Sequence, residues 1–110
     1  MATKIPEAEL GKLARILDAA EREVKAVEKL TIAKPGLSLE DAYRIQEICM
    51  RLRITRGHRL IGMKMGITSY AKMQQIGVKA PIYGVLTDSM QVSEGGIYSL
   101  KGKIHPKIEP

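Results

Sequence analysis

Lys64 is set between two glycines in the stretch Gly62-Met63-Lys64-Met65-Gly66-Ile67-Thr68-Ser69. Arg59-Leu60-Ile61 precedes it, and the whole reads as a short strand running into a turn. Side chains alternate along a strand, so Ile61, Met63 and Met65 share one face and Leu60, Gly62, Lys64 and Gly66 the other. Both same-face neighbours of the ammonium then lack side chains, which leaves a ligand room to approach it. Such a lysine can hold an anionic group or, if desolvated, pass a proton. It can equally be an edge-strand lysine that keeps a sheet soluble. Two acids complete the candidates. Asp88 follows Leu86-Thr87, where a turn residue accepting backbone hydrogen bonds is the plain alternative, and Glu109 can be read as an acid at a strand end.

Other chemistries lack their residues. There is no G-x-G-x-x-G, no lysine following a Walker-type glycine loop and no Cys/His cluster for zinc. His58 and His105 are isolated, and no Ser-His-Asp arrangement follows from spacing. The single cysteine, Cys49, falls in a helical pattern and reads as a small core hydrophobe. A net charge of +6 suits anionic partners, small organic acids included. Its one concentration, Arg51, Arg53, Arg56, His58 and Arg59, reads as a solvated helix end. With no aromatic residue interleaved there, a nucleic-acid module ranks last. No membrane partner is expected, since no stretch has the apolar length to span a bilayer, and the amino terminus has no continuous apolar signal region. A cytoplasmic protein is therefore expected.

The elements that would position these residues can be read in order. Pro6 opens a helix whose apolar seam is Leu10, Leu13, Leu17, Ala20, Val24 and Val27, ending near Lys29 or Leu30. Thr31 to Leu37, with Pro35-Gly36, reads as a loop. Ser38 and Asp41 form a capping box for a second helix that buries Ala42, Ile45, Cys49 and Leu52 and stops at Gly57. Leu37 and Ala42 could form a weak hydrophobic staple across that start. After the Lys64 strand, Thr68 or Ser69 caps a short helix, Tyr70 to Ile76, closed by Gly77. Ala80-Pro81 begins a loop through Ile82-Tyr83-Gly84. Gly95-Gly96 marks a turn, Ile97 to Leu100 a short strand, and His105 before Pro106 an extended residue. Helices come first and a few short strands follow, so the chain is expected to stop inside a domain.

Several of these stretches resemble one known family. Gly62 to Ser69, Ala71-Lys72-Met73, Pro81-Ile82-Tyr83-Gly84, Asp88 and Ile104-His105-Pro106-Lys107-Ile108-Glu109 occur in one order with fitting gaps. Together they resemble the 4-oxalocrotonate decarboxylase/2-oxopent-4-enoate hydratase branch of the fumarylacetoacetate hydrolase superfamily. The Lys72-Met73 pair and the run from His105 to Glu109 lie nearer its decarboxylase side. The likeness is strong from about Arg59 onward and compatible through the helices, where Asp41-Ala42-Tyr43 and Gln46 fit.

The resemblance implies an α+β fold. A helical amino-terminal region, 1–57, with two long helices and one short one in the chain, leads into the first strands of a mixed β-sandwich or barrel, 58–110, left incomplete. It implies a lyase that uses Mg²⁺ or Mn²⁺ to decarboxylate 2-oxohex-3-enedioate to 2-hydroxypenta-2,4-dienoate in aromatic catabolism, or the sister hydratase. Lys64 and Asp88 carry over as catalytic residues, Gly66 and Thr68 as substrate-binding residues, and Glu109 as the first acid of a Glu-x-Glu metal pair. Pro110 takes the variable middle position, and the remaining ligands are expected beyond residue 110, so the chain alone is expected to be inactive. The implied partners are a small dicarboxylic 2-oxo acid, further copies of the chain, and the sister hydratase or decarboxylase. A different reading makes the chain a non-catalytic helical piece whose seam from Leu10 to Val27 packs on a partner in an assembly.

Overall fold

The computed structural model describes residues 5–109; Met1 to Lys4 and Pro110, with its place in the metal pair, lie outside the described residues. Two compact units emerge. One holds the residues up to Leu52 together with those from Val92 onward, and the other is Arg53–Gln91.

In the first unit, helix α1 is Glu7–Glu23, entered from Pro6 with Glu7 and Glu9 in its first turn. Helix α2 is the single turn Leu30–Ala33, and α3 is Leu39–Thr55, which runs on into the second unit. The core is Leu10, Leu13, Ala14 and Ile45, with Ile5, Leu17, Leu30, Leu37, Ile48 and Cys49 packed on it. The expected capping box is present. Asp41 N–H donates to Ser38 Oγ at 3.1 Å, and Ser38 N–H donates to Asp41 Oδ2 at 2.9 Å. At the other end Gly57, at φ 100°, closes α3, with its N–H donating to Ile54 O and that of His58 to Arg53 O.

The long first helix does not extend to Lys29 or Leu30. It ends at Glu23, and Val24 takes a left-handed conformation at φ 56°, ψ 49°. Tertiary packing supplies the reason. Leu30 packs on the cluster that contains Leu10, and Lys34 Nζ lies 2.9 Å from Glu9 Oε1. A continuous helix would carry Leu30 about 30 Å from Leu10. The chain therefore reverses, and part of the expected loop becomes α2. Exposed Val24 and Val27 drop out of the seam, and Ala42 is exposed on α3.

The second unit contains strand β1, Leu60–Gly66, helix α4, Tyr70–Ile76, and strand β2, Ile82–Thr87, followed by a 3₁₀ turn, Asp88–Met90. Of the two cap candidates for α4, Ser69 is the one used: its Oγ accepts Lys72 N–H at 3.2 Å, and Gly77 closes the helix at φ 86°. β1 and β2 form an antiparallel pair. The loop expected through Ile82-Tyr83-Gly84 is thus a strand; the run Ile82 to Thr87 supplies β-branched and aromatic residues, and it pairs with β1. An irregularity between Leu60 and Gly62 inserts one residue in β1. The expected alternation therefore holds from Gly62 to Gly66 but does not extend back to Leu60.

Two expectations for the last segment are corrected. Ile97 to Leu100 has no ladder partner and is not a strand, and Ile97 is fully exposed. His105 is not extended before its proline; it sits at φ 46°. The turn at Gly95-Gly96 is present, with Gly96 N–H donating to Ser93 O at 2.9 Å. The α+β class is as expected, a helical amino-terminal part with a two-stranded antiparallel sheet. Among the described residues, no helix is long and apolar enough to cross a membrane.

Candidate functional site

The antiparallel pair of β1 and β2, a hairpin closed through α4, sets the position of Lys64. Its register pairs Gly62 with Leu86, Lys64 with Gly84 and Gly66 with Ile82. Directly opposed residues project to the same face of an antiparallel pair. The Lys64 face therefore carries three glycines, with none of the nearest positions along or across the strands holding a side chain. Its apolar boundaries are Ile82 and Leu86, both half-buried. Ile82 leans over Gly66: a Cβ built on Gly66 would meet Ile82 Cγ1 at 3.4 Å. Lys64 itself is exposed.

The opposite face is of another kind. Met63 faces Val85, and Met65 faces Tyr83. Met63 is 63% exposed and Met65 60%. One hairpin thus presents a cation among glycines on one side and an uncharged apolar surface on the other.

Gly66 ends β1 and is half-buried. Ile67 follows in the left-handed region at φ 56°, a conformation a β-branched residue rarely adopts, and turns the chain toward α4. Thr68, next in line, is exposed.

Asp88 lies at the other end of the hairpin. Asp88 N–H donates to Arg59 O at 2.9 Å, and Arg59 N–H returns a bond to Asp88 Oδ1 at 3.0 Å. Arg59 Nε is 3.7 Å from Asp88 Oδ2. The backbone N–H of Arg59 holds the Asp88 carboxyl below its ordinary range. Desolvation opposes this, while the Ser89 N–H and the charges of Arg59 and His58 add to it. The ladder thus continues one pair beyond the strands. His58 Nδ1 and Ser89 Oγ lie 2.9 Å apart, and Ser89 Oγ is 2.9 Å from Oγ1 of the fully buried Thr87.

Asp88 and Lys64 thus stand at different points along the strand pair. Asp88 is four positions beyond Gly84, about 13 Å along the strand. Its immediate partner is Arg59, not Lys64. Two features are hard to see in the sequence. Pro81 before Gly84 favours a loop there, and the contrary signal is the β-branched and aromatic run around Gly84. The His58–Ser89 contact joins residues too far apart in the chain for spacing to reveal.

Glu109 belongs to the first unit and is exposed. Its carboxylate has the hard-oxygen chemistry that suits a divalent ion such as Mg²⁺. One carboxylate is not a metal centre, however. Among the described residues, no three His, Cys, Asp or Glu side chains come together to hold a metal ion.

Comparison with known proteins bears out the resemblance read from the motifs. The chain is 43% identical over 97 residues to the 4-oxalocrotonate decarboxylase of Pseudomonas sp. (strain CF600), a match covering 88% of this chain and 37% of the relative. It is 40% identical over 92 residues to the 2-hydroxyhexa-2,4-dienoate hydratase of Comamonas testosteroni, covering 82% of this chain and 35% of that enzyme. The solved 4-oxalocrotonate decarboxylase from Pseudomonas putida G7, complexed with calcium and acetate, superposes with a TM-score of 0.91 at 36% identity, covering 94% of this chain and 40% of that one. The same enzyme complexed with magnesium and adipate gives a TM-score of 0.77 at 38% identity, over 80% of this chain and 34% of that one. No family model matches the chain. The chain spans little more than a third of the length of the curated relatives it matches.

Proposed function

From its kinship with these decarboxylases and hydratases, we propose that the chain is the lysine-bearing part of a lyase that decarboxylates 2-oxohex-3-enedioate to 2-hydroxypenta-2,4-dienoate. The observation that carries this reading is the 43% identity to a 4-oxalocrotonate decarboxylase over 88% of the chain. The glycine-framed Lys64 is consistent with it. The substrate is a small dicarboxylic 2-oxo acid, and the cellular site is the cytoplasm. Further copies of the chain and the sister hydratase are the partners.

In the reaction, the bond to the distal carboxylate breaks and carbon dioxide leaves. The electron pair moves through the conjugated chain to the 2-oxo oxygen, which takes a proton to give the 2-hydroxydiene. The Lys64 ammonium faces the growing negative charge and can deliver that proton from Nζ. Gly66 and Thr68 give the substrate a path along the end of β1. Asp88 acts from the base of the hairpin, through Arg59 and the alignment of β1. A divalent ion, Mg²⁺ or Mn²⁺, supplies Lewis acidity when bound. Glu109 would offer it one ligand.

The hydratase relative favours a second reading, addition of water to the dienol to give 4-hydroxy-2-oxopentanoate. A chimera separates the two. This chain replaces the matching segment of the Pseudomonas sp. CF600 decarboxylase, and products are followed from both substrates. Carbon dioxide release from 2-oxohex-3-enedioate supports the decarboxylase, and hydration of the dienol supports the hydratase. Lys64→Ala in the active chimera is expected to lower turnover about 10²- to 10³-fold. Unchanged turnover would remove Lys64 from the chemistry.

A further inference from the structure

We infer that Gly84 is a positioning residue: by lacking a side chain directly across from Lys64, it keeps open the berth in which the ammonium receives a dicarboxylate. The inference rests on the reading of Lys64 above and adds a residue to it.

The argument begins with a cost. Glycine inside a strand weakens it, because it loses more backbone freedom on folding and packs nothing against its neighbours. Gly84 occupies the middle of β2, a six-residue strand in a sheet of only two strands. Such a sheet is marginal and has little stability to spare. The positive-φ glycines are Gly57, Gly77 and Gly95, whereas Gly84 sits in regular pairing within β2, so no left-handed turn explains it. Opposed residues carry their Cβ atoms about 4.5–5.5 Å apart. Any side chain at position 84 would therefore stand against the Lys64 stem.

The surroundings define what the berth accepts. Gly62 and Gly66 leave the flanks along β1 open, while Ile82 and Leu86 bound the space across the sheet. Ile82 already closes down on Gly66, whereas nothing lies within 4 Å of a Cβ built on Gly62, so the Gly62 flank and the direct cross-strand position are the two openings beside the Lys64 stem. A cation rising from a glycine floor, with hydrocarbon across the sheet, suits an anion with a short apolar body. A dicarboxylate of five or six carbons has one carboxylate for Lys64 and a carbon chain for Ile82 and Leu86.

The test is a titration of the isotope-labelled chain with adipate, a saturated six-carbon dicarboxylate, followed by NMR at the Lys64 side chain. Four chains are compared: the parent, Lys64→Gln, Gly84→Ala and Gly84→Val. Cross-strand signals between Met63 and Val85 report whether the hairpin is intact. Valine is a strong strand former, so a merely structural glycine predicts that Gly84→Val firms the hairpin and leaves binding unchanged. The inference predicts a firm hairpin with affinity reduced at least tenfold in Gly84→Val and by a smaller factor in Gly84→Ala. Parent-like affinity in both glycine variants, with binding still lost in Lys64→Gln, would overturn the role of Gly84 and leave the reading of Lys64 standing. No saturable shift at Lys64 in the parent, or parent-like binding in Lys64→Gln, would overturn both.

Discussion

At the scale of single residues, Asp88 shows how a candidate catalytic acid can also be a clasp. Its carboxylate accepts the Arg59 N–H while its own N–H donates to Arg59 O. Its folded pKa lies below the ordinary value, so the ionised clasp stabilises the hairpin above the unfolded pKa. That contribution fades as pH falls through about 4 and on toward the lowered folded value. Asp88→Asn, which keeps the shape without the charge, should destabilise the chain at neutral pH. Urea titrations from pH 7 to 2.5 should show the gap between the two proteins closing below about pH 4. A gap that stays constant with pH would remove the charge from the clasp. Lys64 between Gly62 and Gly66 could be read from the sequence because that pattern is local. Gly84 opposite Lys64, and Arg59 opposite Asp88, could not, because the register of a hairpin decides them.

At the scale of elements, short-range signals translated well and long-range ones did not. The Ser38 and Asp41 cap, Gly57 and Ser69 all do locally what their types suggest. Ser38→Ala removes the acceptor for the Asp41 N–H at the start of α3. It should cost about 1 kcal/mol by chemical denaturation, within the usual 0.5–2 kcal/mol for a lost N-cap. A loss near zero would mean that Asp41 Oδ2 on the Ser38 N–H holds the helix start alone. The seam from Leu10 to Val27 misled because periodicity shows where a helix can continue, not where the core needs the chain to turn back. Ile97 to Leu100 misled for the converse reason: a strand-like composition forms no strand without a partner.

At the scale of the whole molecule, the apolar side of the hairpin dominates expectation. Met63, Met65 and Tyr83 are exposed on one face, and among the described residues no further strand extends the two-stranded sheet. Apolar faces and open edges of this kind drive association. The chain should self-associate with rising concentration, and Met65→Lys, a charge on the face away from Lys64, should weaken this at least tenfold in sedimentation equilibrium. Identical association by both proteins would place the contact elsewhere. The α+β class could be read from the order of helical and extended patterns, whereas the division into units could not, since the first unit joins two distant stretches of chain.

The reversal after Val24 has a practical side. Residues 25–29 are exposed and carry no helix or strand, yet Leu30 and Lys34 beyond them are fastened to the region around Leu10 and Glu9. The ends of that crossing are held by other contacts, so its length is only weakly constrained. Each doubling of a flexible loop costs only about 0.6 kcal/mol. The crossing is accordingly a permissive place to graft a tag, a spectroscopic label or a protease recognition sequence while the Lys64 hairpin is left untouched.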